Sequence, residues 1–116
     1  SLTAASQDLL NLFKGEDLYY GITLTSTGFY GPQGRILRLK PSIDNFIEDL
    51  SKLHFGAHRV TNLEMETSGI YGLGRLLGHK CLSVNAILAN RQALTFSKDS
   101  KAIVEKAILL TLEKLA

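Results

Sequence analysis

The 116 residues predict an α/β layer fold, and three observations carry that expectation. Stretches with apolar residues at helical spacing alternate with runs rich in β-branched and aromatic residues. No internal repeat or low-complexity segment interrupts the alternation, and both prolines fall at loop positions. The length suits one domain, and 45% hydrophobic with 21% charged residues is ordinary globular composition.

Taken in order, residues 2–14 predict a first helix, with Leu9, Leu10 and Phe13 on one side and Gly15 as its stop. Leu18 to Thr27, rich in Tyr, Ile and Thr, predicts a strand that empties into a loop broken by Gly28, Gly31-Pro32 and Gly34. Pro41-Ser42 opens a second helix, with Ser42 as N-cap and Ile43, Phe46, Ile47, Leu50 and Leu53 at helical spacing. Arg59 to Leu63 reads as a short strand. Glu66 to Leu77 then reads as a helix with an Ile70, Leu73, Leu77 stripe, stopped by Gly78. The apolar run Cys81 to Ala89 predicts a strand covered on both faces, with Gln92 to Ser97 as loop. Ser97 to Leu115 closes the chain as an amphipathic helix, with Ile103, Val104, Ala107, Ile108 and Leu115 inward. In such an alternation ligands gather at the loops leaving the carboxyl ends of strands.

Charge and cysteine content narrow the function classes. The net charge of +2 comes from interspersed Lys and Arg, without the basic block of a nucleic-acid binder. No stretch reaches the length of a membrane span and no secretion signal opens the chain, so a soluble protein is expected. The single cysteine, Cys81, reads as a small buried thiol and fits a reducing, cytoplasmic setting. The chain begins at Ser1 rather than Met, which suggests a processed or truncated start. His54, His58 and His79 have no metal-ligand spacing with Cys81 or a carboxylate pair. Gly72-x-Gly74 with Gly78 lies inside a helix rather than after a strand, which excludes a dinucleotide fingerprint.

Three segments could carry chemistry. Phe29 to Arg35 leaves a strand and offers an aromatic face, the Gln33 amide and the Arg35 guanidinium, which match an imide edge; on composition alone a plain surface turn is the commoner reading of such a loop. Glu64-Met65-Glu66 sits at a strand-to-helix junction, where acids complement the helix dipole but where a carboxylate can also take two hydrogen bonds from a vicinal diol. Asn90-Arg91 ends the most strand-like segment, where an Arg is either a ligand contact or a solvated cation.

Together these motifs resemble the uridine phosphorylases of the nucleoside phosphorylase-I family. Phe29 to Arg35 is similar to that family's uracil loop, Glu64-Met65-Glu66 to its ribose motif, and Val84 to Arg91 to its strand ending in Asn-Arg. The resemblance implies a three-layer mixed sheet flanked by helices, present here only in part, with residues 1–116 as the C-terminal portion of a phosphorylase domain. It implies that Gln33 and Arg35 bond the uracil edge, that Phe29 packs on the base with Leu88 and Ala89 lining the pocket, and that Arg91 holds the far carbonyl through a water. Met65 then lies under the ribose, Glu66 takes its hydroxyls and Glu64 supports them. The implied reaction is reversible phosphorolysis of uridine to uracil and ribose 1-phosphate, with inorganic phosphate as co-substrate, no cofactor and no metal ligand among the site residues. The implied assembly is a homo-oligomer of dimers, up to a hexamer.

Two departures accompany the resemblance. The family's loop usually reads Pro-Gly where this chain has Gly31-Pro32, and nothing in residues 1–18 resembles the glycine-rich phosphate loop of the family's front half. Purine phosphorylases and nucleosidases of the same fold use an Asp near the position of Ala89 to Arg91. Leu88 to Phe96 contains no acid, which favours the pyrimidine reading. A non-catalytic nucleoside-binding domain is the remaining alternative.

Overall fold

The structure is a computed structural model and describes residues 1–15 and 17–116. It is a mixed α/β fold whose described residues divide into two compact units, Tyr19–Ser68 and the paired segments Ser1–Leu18 and Gly69–Ala116.

In the unit Tyr19–Ser68, β1 (Ile22–Thr25) runs parallel to β3 (His58–Glu64), which pairs antiparallel with β2 (His54–Phe55), giving the order β1-β3-β2. The parallel register sets Thr23 opposite Asn62 and Thr25 opposite Glu64, one side-chain period apart on the same face. Thr23 Oγ1 donates to Asn62 Oδ1 at 2.7 Å, the first of two polar rungs across the strands. The predicted strand 18–27 is thus trimmed to four residues, because pairing rather than composition sets its ends. β3 begins earlier than expected, since the Gly56-Ala57 turn folds His54 and Phe55 back onto it as a hairpin.

Helix α2 (Phe46–Lys52) starts four residues beyond Ser42, which corrects the predicted N-cap. Asn45, with φ 55° in the left-handed region, breaks the chain direction there, a conformation Asn tolerates better than most residues; Ile43 stays outside the helix. Helix α3 (Thr67–Leu77) follows β3 nearly as predicted. Its end is a Schellman turn: His79 N–H donates to Gly74 O at 2.7 Å and Gly78 N–H to Arg75 O at 3.4 Å, with Gly78 at φ 76°.

The second unit opens with α1 (Gln7–Leu12), shorter than the predicted 2–14 and capped by the Ser6 hydroxyl. Phe13 is buried, as expected, and Ser6 N–H donates to Cys81 O at 2.9 Å. Asp8–Lys80 (2.6 Å) and Asp17–Lys106 (2.9 Å) tie the two segments together, and each lysine's hydrogen bond and charge hold the acid below its usual pKa.

The run Cys81–Ala89 is not the expected two-face-covered strand. Only Ala89–Asn90 forms one, β4, paired antiparallel with β5 (Thr95–Phe96), so the predicted loop 92–97 itself holds a strand. Hydrophobicity supplies no ladder partner: Cys81 O and Leu88 O accept only isolated bonds, and Ser83 N–H donates to the Tyr71 hydroxyl. Val84, Ile87 and Leu88 are exposed, and the Cys81 thiol is half-buried against Gly74 rather than enclosed. Helix α4 (Ser100–Leu115) is capped by Asp99. Ile103 and Ala107 are half-buried, but Val104, Ile108 and Leu115 are exposed, which corrects the predicted inward face.

Candidate functional site

Within Tyr19–Ser68 the predicted ligand residues fall in two clusters, each built by a short stretch of chain. The first follows β1. Gly31–Gln33 forms one 3₁₀ turn, with Pro32 at its start, where a missing N–H costs nothing. The Gly-Pro order is therefore accommodated by the turn itself. Gly34 closes it at φ 71° and donates to Gly31 O at 2.8 Å, and a Cβ there would lie 2.6–2.7 Å from Phe46 side-chain atoms. Only glycine fits both the conformation and the space.

This turn brings Phe29, Gln33 and Arg35 together. Gln33 is 4% exposed, and a buried amide must be hydrogen-bonded. Its Oε1 accepts from Arg35 Nη1 at 2.7 Å, and the same nitrogen donates to the Phe29 carbonyl. The guanidinium carbon lies 3.8 Å from the Phe29 ring centroid, a cation–π stack, and Tyr30 packs edge-on against Phe29 at 5.2 Å. Phe29 itself is 51% exposed. An aromatic platform beside an amide and a rigid fork of donors can bond a planar group carrying carbonyls on either side of an N–H.

The second cluster lies where β3 gives way to α3. Helix geometry begins at Thr67, later than the expected switch near Met65, and Met65 and Glu66 form the bend between. Glu64 does not project into solvent. Its Oε2 accepts from the N–H groups of Glu66 and Thr67, both at 2.6 Å, and its Oε1 from the Thr25 hydroxyl. Burial pushes the Glu64 carboxyl pKa up, but those hydrogen bonds, together with one from the Thr67 hydroxyl, outweigh it and hold the group below its ordinary range. Glu66 is exposed, and its Oε2 accepts from the Met65 N–H at 3.2 Å. Met65 is also exposed. Sequence reasoning passed over Thr25, whose contact with Glu64 follows from the register of β1 on β3 and from no local motif.

Leu88, Ala89 and Arg91 belong to the other unit. Leu88 and Ala89 are exposed at the start of the β4–β5 hairpin. Asn90 Oδ1 accepts from Gln92 N–H (3.1 Å) and Ala93 N–H (2.9 Å), so it builds the turn on which half-buried Arg91 sits.

A cleft of about 340 Å³ is lined by Gly31, Pro32, Gly34, Pro41, Ser42, Ile43 and Phe46, and by none of the predicted ligand residues. Among the described residues no three His, Cys, Asp or Glu side chains are grouped to hold a metal ion, and no helix is long and apolar enough to cross a membrane.

No protein-family profile matches the chain, and no solved structure matches it. A curated protein of Thermococcus kodakarensis named uridine phosphorylase is 36% identical over 87 residues, covering 72% of this chain. The chain spans only about 30% of that relative's length. The sequence thus has a distant, partial relationship to a nucleoside phosphorylase.

Proposed function

We propose that this chain supplies the base and ribose pockets of a uridine phosphorylase, as the C-terminal portion of a three-layer domain. The observation that carries the reading is the Phe29–Gln33–Arg35 cluster, a buried amide bonded to a guanidinium stacked on an aromatic ring. In phosphorolysis, phosphate attacks the anomeric carbon of uridine, the glycosidic bond breaks, and its electron pair leaves with uracil. Gln33 and Arg35 are the donors set in advance for the negative charge that develops on the base, so they lower the barrier electrostatically. Glu66 receives the ribose hydroxyls over Met65. The resemblance also gives base contacts to Leu88, Ala89 and Arg91, the last through a bridging water.

Groups that hold the phosphate lie outside these 116 residues in this reading, and the apolar surface supports that division. Leu109, Leu112 and Leu115 of α4 and Leu73, Leu76 and Leu77 of α3 are all more than half exposed. A helix apolar on most sides belongs in the interior of a larger protein. The complete protein is expected to be a cytoplasmic homo-oligomer that uses inorganic phosphate and no cofactor.

The test is phosphate-dependent release of uracil from uridine by the complete protein that carries this sequence. Gln33→Ala and Arg35→Ala are each expected to lower turnover by the equivalent of about 2–4 kcal/mol, the loss for one preorganised donor. The 116 residues alone are expected to release none. A complete protein that prefers inosine or adenosine overturns the pyrimidine assignment. One that binds uridine without turnover establishes a non-catalytic nucleoside-binding domain.

A further inference from the structure

We propose that Thr25 and Glu64 are positioning residues that aim Glu66 at the sugar diol, an inference that rests on the ribose role given to Glu66 above. The backbone N–H groups of Glu66, Thr67 and Ser68 open α3, and a helix start leaves such donors without helical partners. Side chains from the sheet take all three. Glu64 Oε2 accepts from Glu66 and Thr67 at 2.6 Å each, and Thr25 Oγ1 accepts from Ser68 at 3.0 Å. Thr25 Oγ1 in turn donates to Glu64 Oε1, and Ser26 N–H donates to the Glu64 carbonyl at 2.8 Å.

The Thr25 hydroxyl acts as donor and acceptor at once, which a hydroxyl can do and a methyl cannot. Its position is fixed by the parallel register that sets Thr25 opposite Glu64. The Glu64 carboxylate, already engaged on both oxygens, is committed to holding the bend. The Glu66 carboxylate, two residues on, accepts from the adjacent Met65 N–H and is exposed to solvent. The clamp therefore fixes the backbone from which Glu66 reaches out, and a carboxylate bonding two hydroxyls needs that direction fixed. A displacement of about 1 Å at such a group costs up to about 100-fold.

The experiment is calorimetric titration of the complete protein with uridine and with 2′-deoxyuridine, comparing wild type with Thr25→Val, Thr25→Ser, Glu64→Gln and Glu66→Ala. Thr25→Val is expected to weaken uridine binding by about tenfold or more, with a much smaller effect on 2′-deoxyuridine, so that the preference for the ribonucleoside collapses. Thr25→Ser keeps that preference. An equal loss for both ligands, or none, overturns the positioning role. Glu64→Gln, which turns one acceptor into a donor, gives the same collapse and carries the test if Thr25→Val does not fold. Glu66→Ala separates the two levels of inference. If it abolishes the preference while folded Thr25→Val does not, the clamp is wrong and the ribose site stands. If Glu66→Ala leaves the preference intact, the ribose assignment falls and the proposal with it.

Discussion

Removing the Glu64 carboxylate is expected to cost folding stability, whereas removing the Glu66 carboxylate is not. Glu64 accepts two backbone N–H groups at the start of α3 and the Thr25 hydroxyl, while Glu66 accepts one N–H from its exposed neighbour. Loss of a helix-capping side chain costs about 0.5–2 kcal/mol. Hydrogen bonds to charged groups contribute about 1.5–3 kcal/mol net, less where water replaces them. Because Glu64 is only half-buried, Glu64→Ala is expected to lose about 2–3 kcal/mol, and Glu66→Ala less than about 0.5 kcal/mol. Urea unfolding followed by circular dichroism at pH 7 measures both.

The pH dependence provides a second handle on the same residue. The Glu64 carboxyl is held below its ordinary 4.5, so its contribution is fully present above that value. It is lost as pH falls through the lowered folded-state pKa. The gap between wild type and Glu64→Ala therefore narrows below about pH 4. Equal destabilisation by the two alanine variants, or a gap that widens in acid, would refute the assignment of Glu64 to the cap.

Gly34→Ala is expected to lose about 2–4 kcal/mol in thermal unfolding, since a Cβ at φ 71° adds left-handed strain to the collision with Phe46. Gly74→Ala reverses the usual helix preference for alanine, because the new methyl meets the Cys81 thiol. The double variant Gly74→Ala, Cys81→Ala recovers most of the lost melting temperature, and a double variant no better than the single one counts against that contact. The 116 residues alone are expected to self-associate through the exposed leucines of α3 and α4, and a monomeric sedimentation profile at high concentration contradicts this.

What the sequence made legible was short-range. Phe29, Gln33 and Arg35 lie within seven residues, and a Gly- and Pro-bearing loop after a strand is enough to predict that they meet. The stop at Gly78 and the run of α3 were equally local, as was the alternation of helices and strands. Long-range pairing was hidden. Nothing near Thr25 announces that its hydroxyl meets Glu64, because the contact exists only in one register of two strands. The same limit explains the run 81–89: its apolar residues describe a strand, but the ladder depends on a neighbour that local pattern does not specify. At α2 the reason is different. Ser42 is a good capping residue, yet the left-handed turn at Asn45 sets the helix start later.

The register of β1 on β3 has a kinetic meaning as well. The β2–β3 hairpin closes over a two-residue turn, whereas Thr25 and Glu64 are 39 residues apart. Closing so long a loop carries an entropic cost before any contact rewards it, so the hairpin is expected to form first and β1 to dock late. Interactions absent from the rate-limiting assembly act mainly on the rate of opening. On that order the rung between Thr25 and Glu64 is expected to act as a latch, slowing the loss of the bend at Glu66 more than it speeds the chain to its fold.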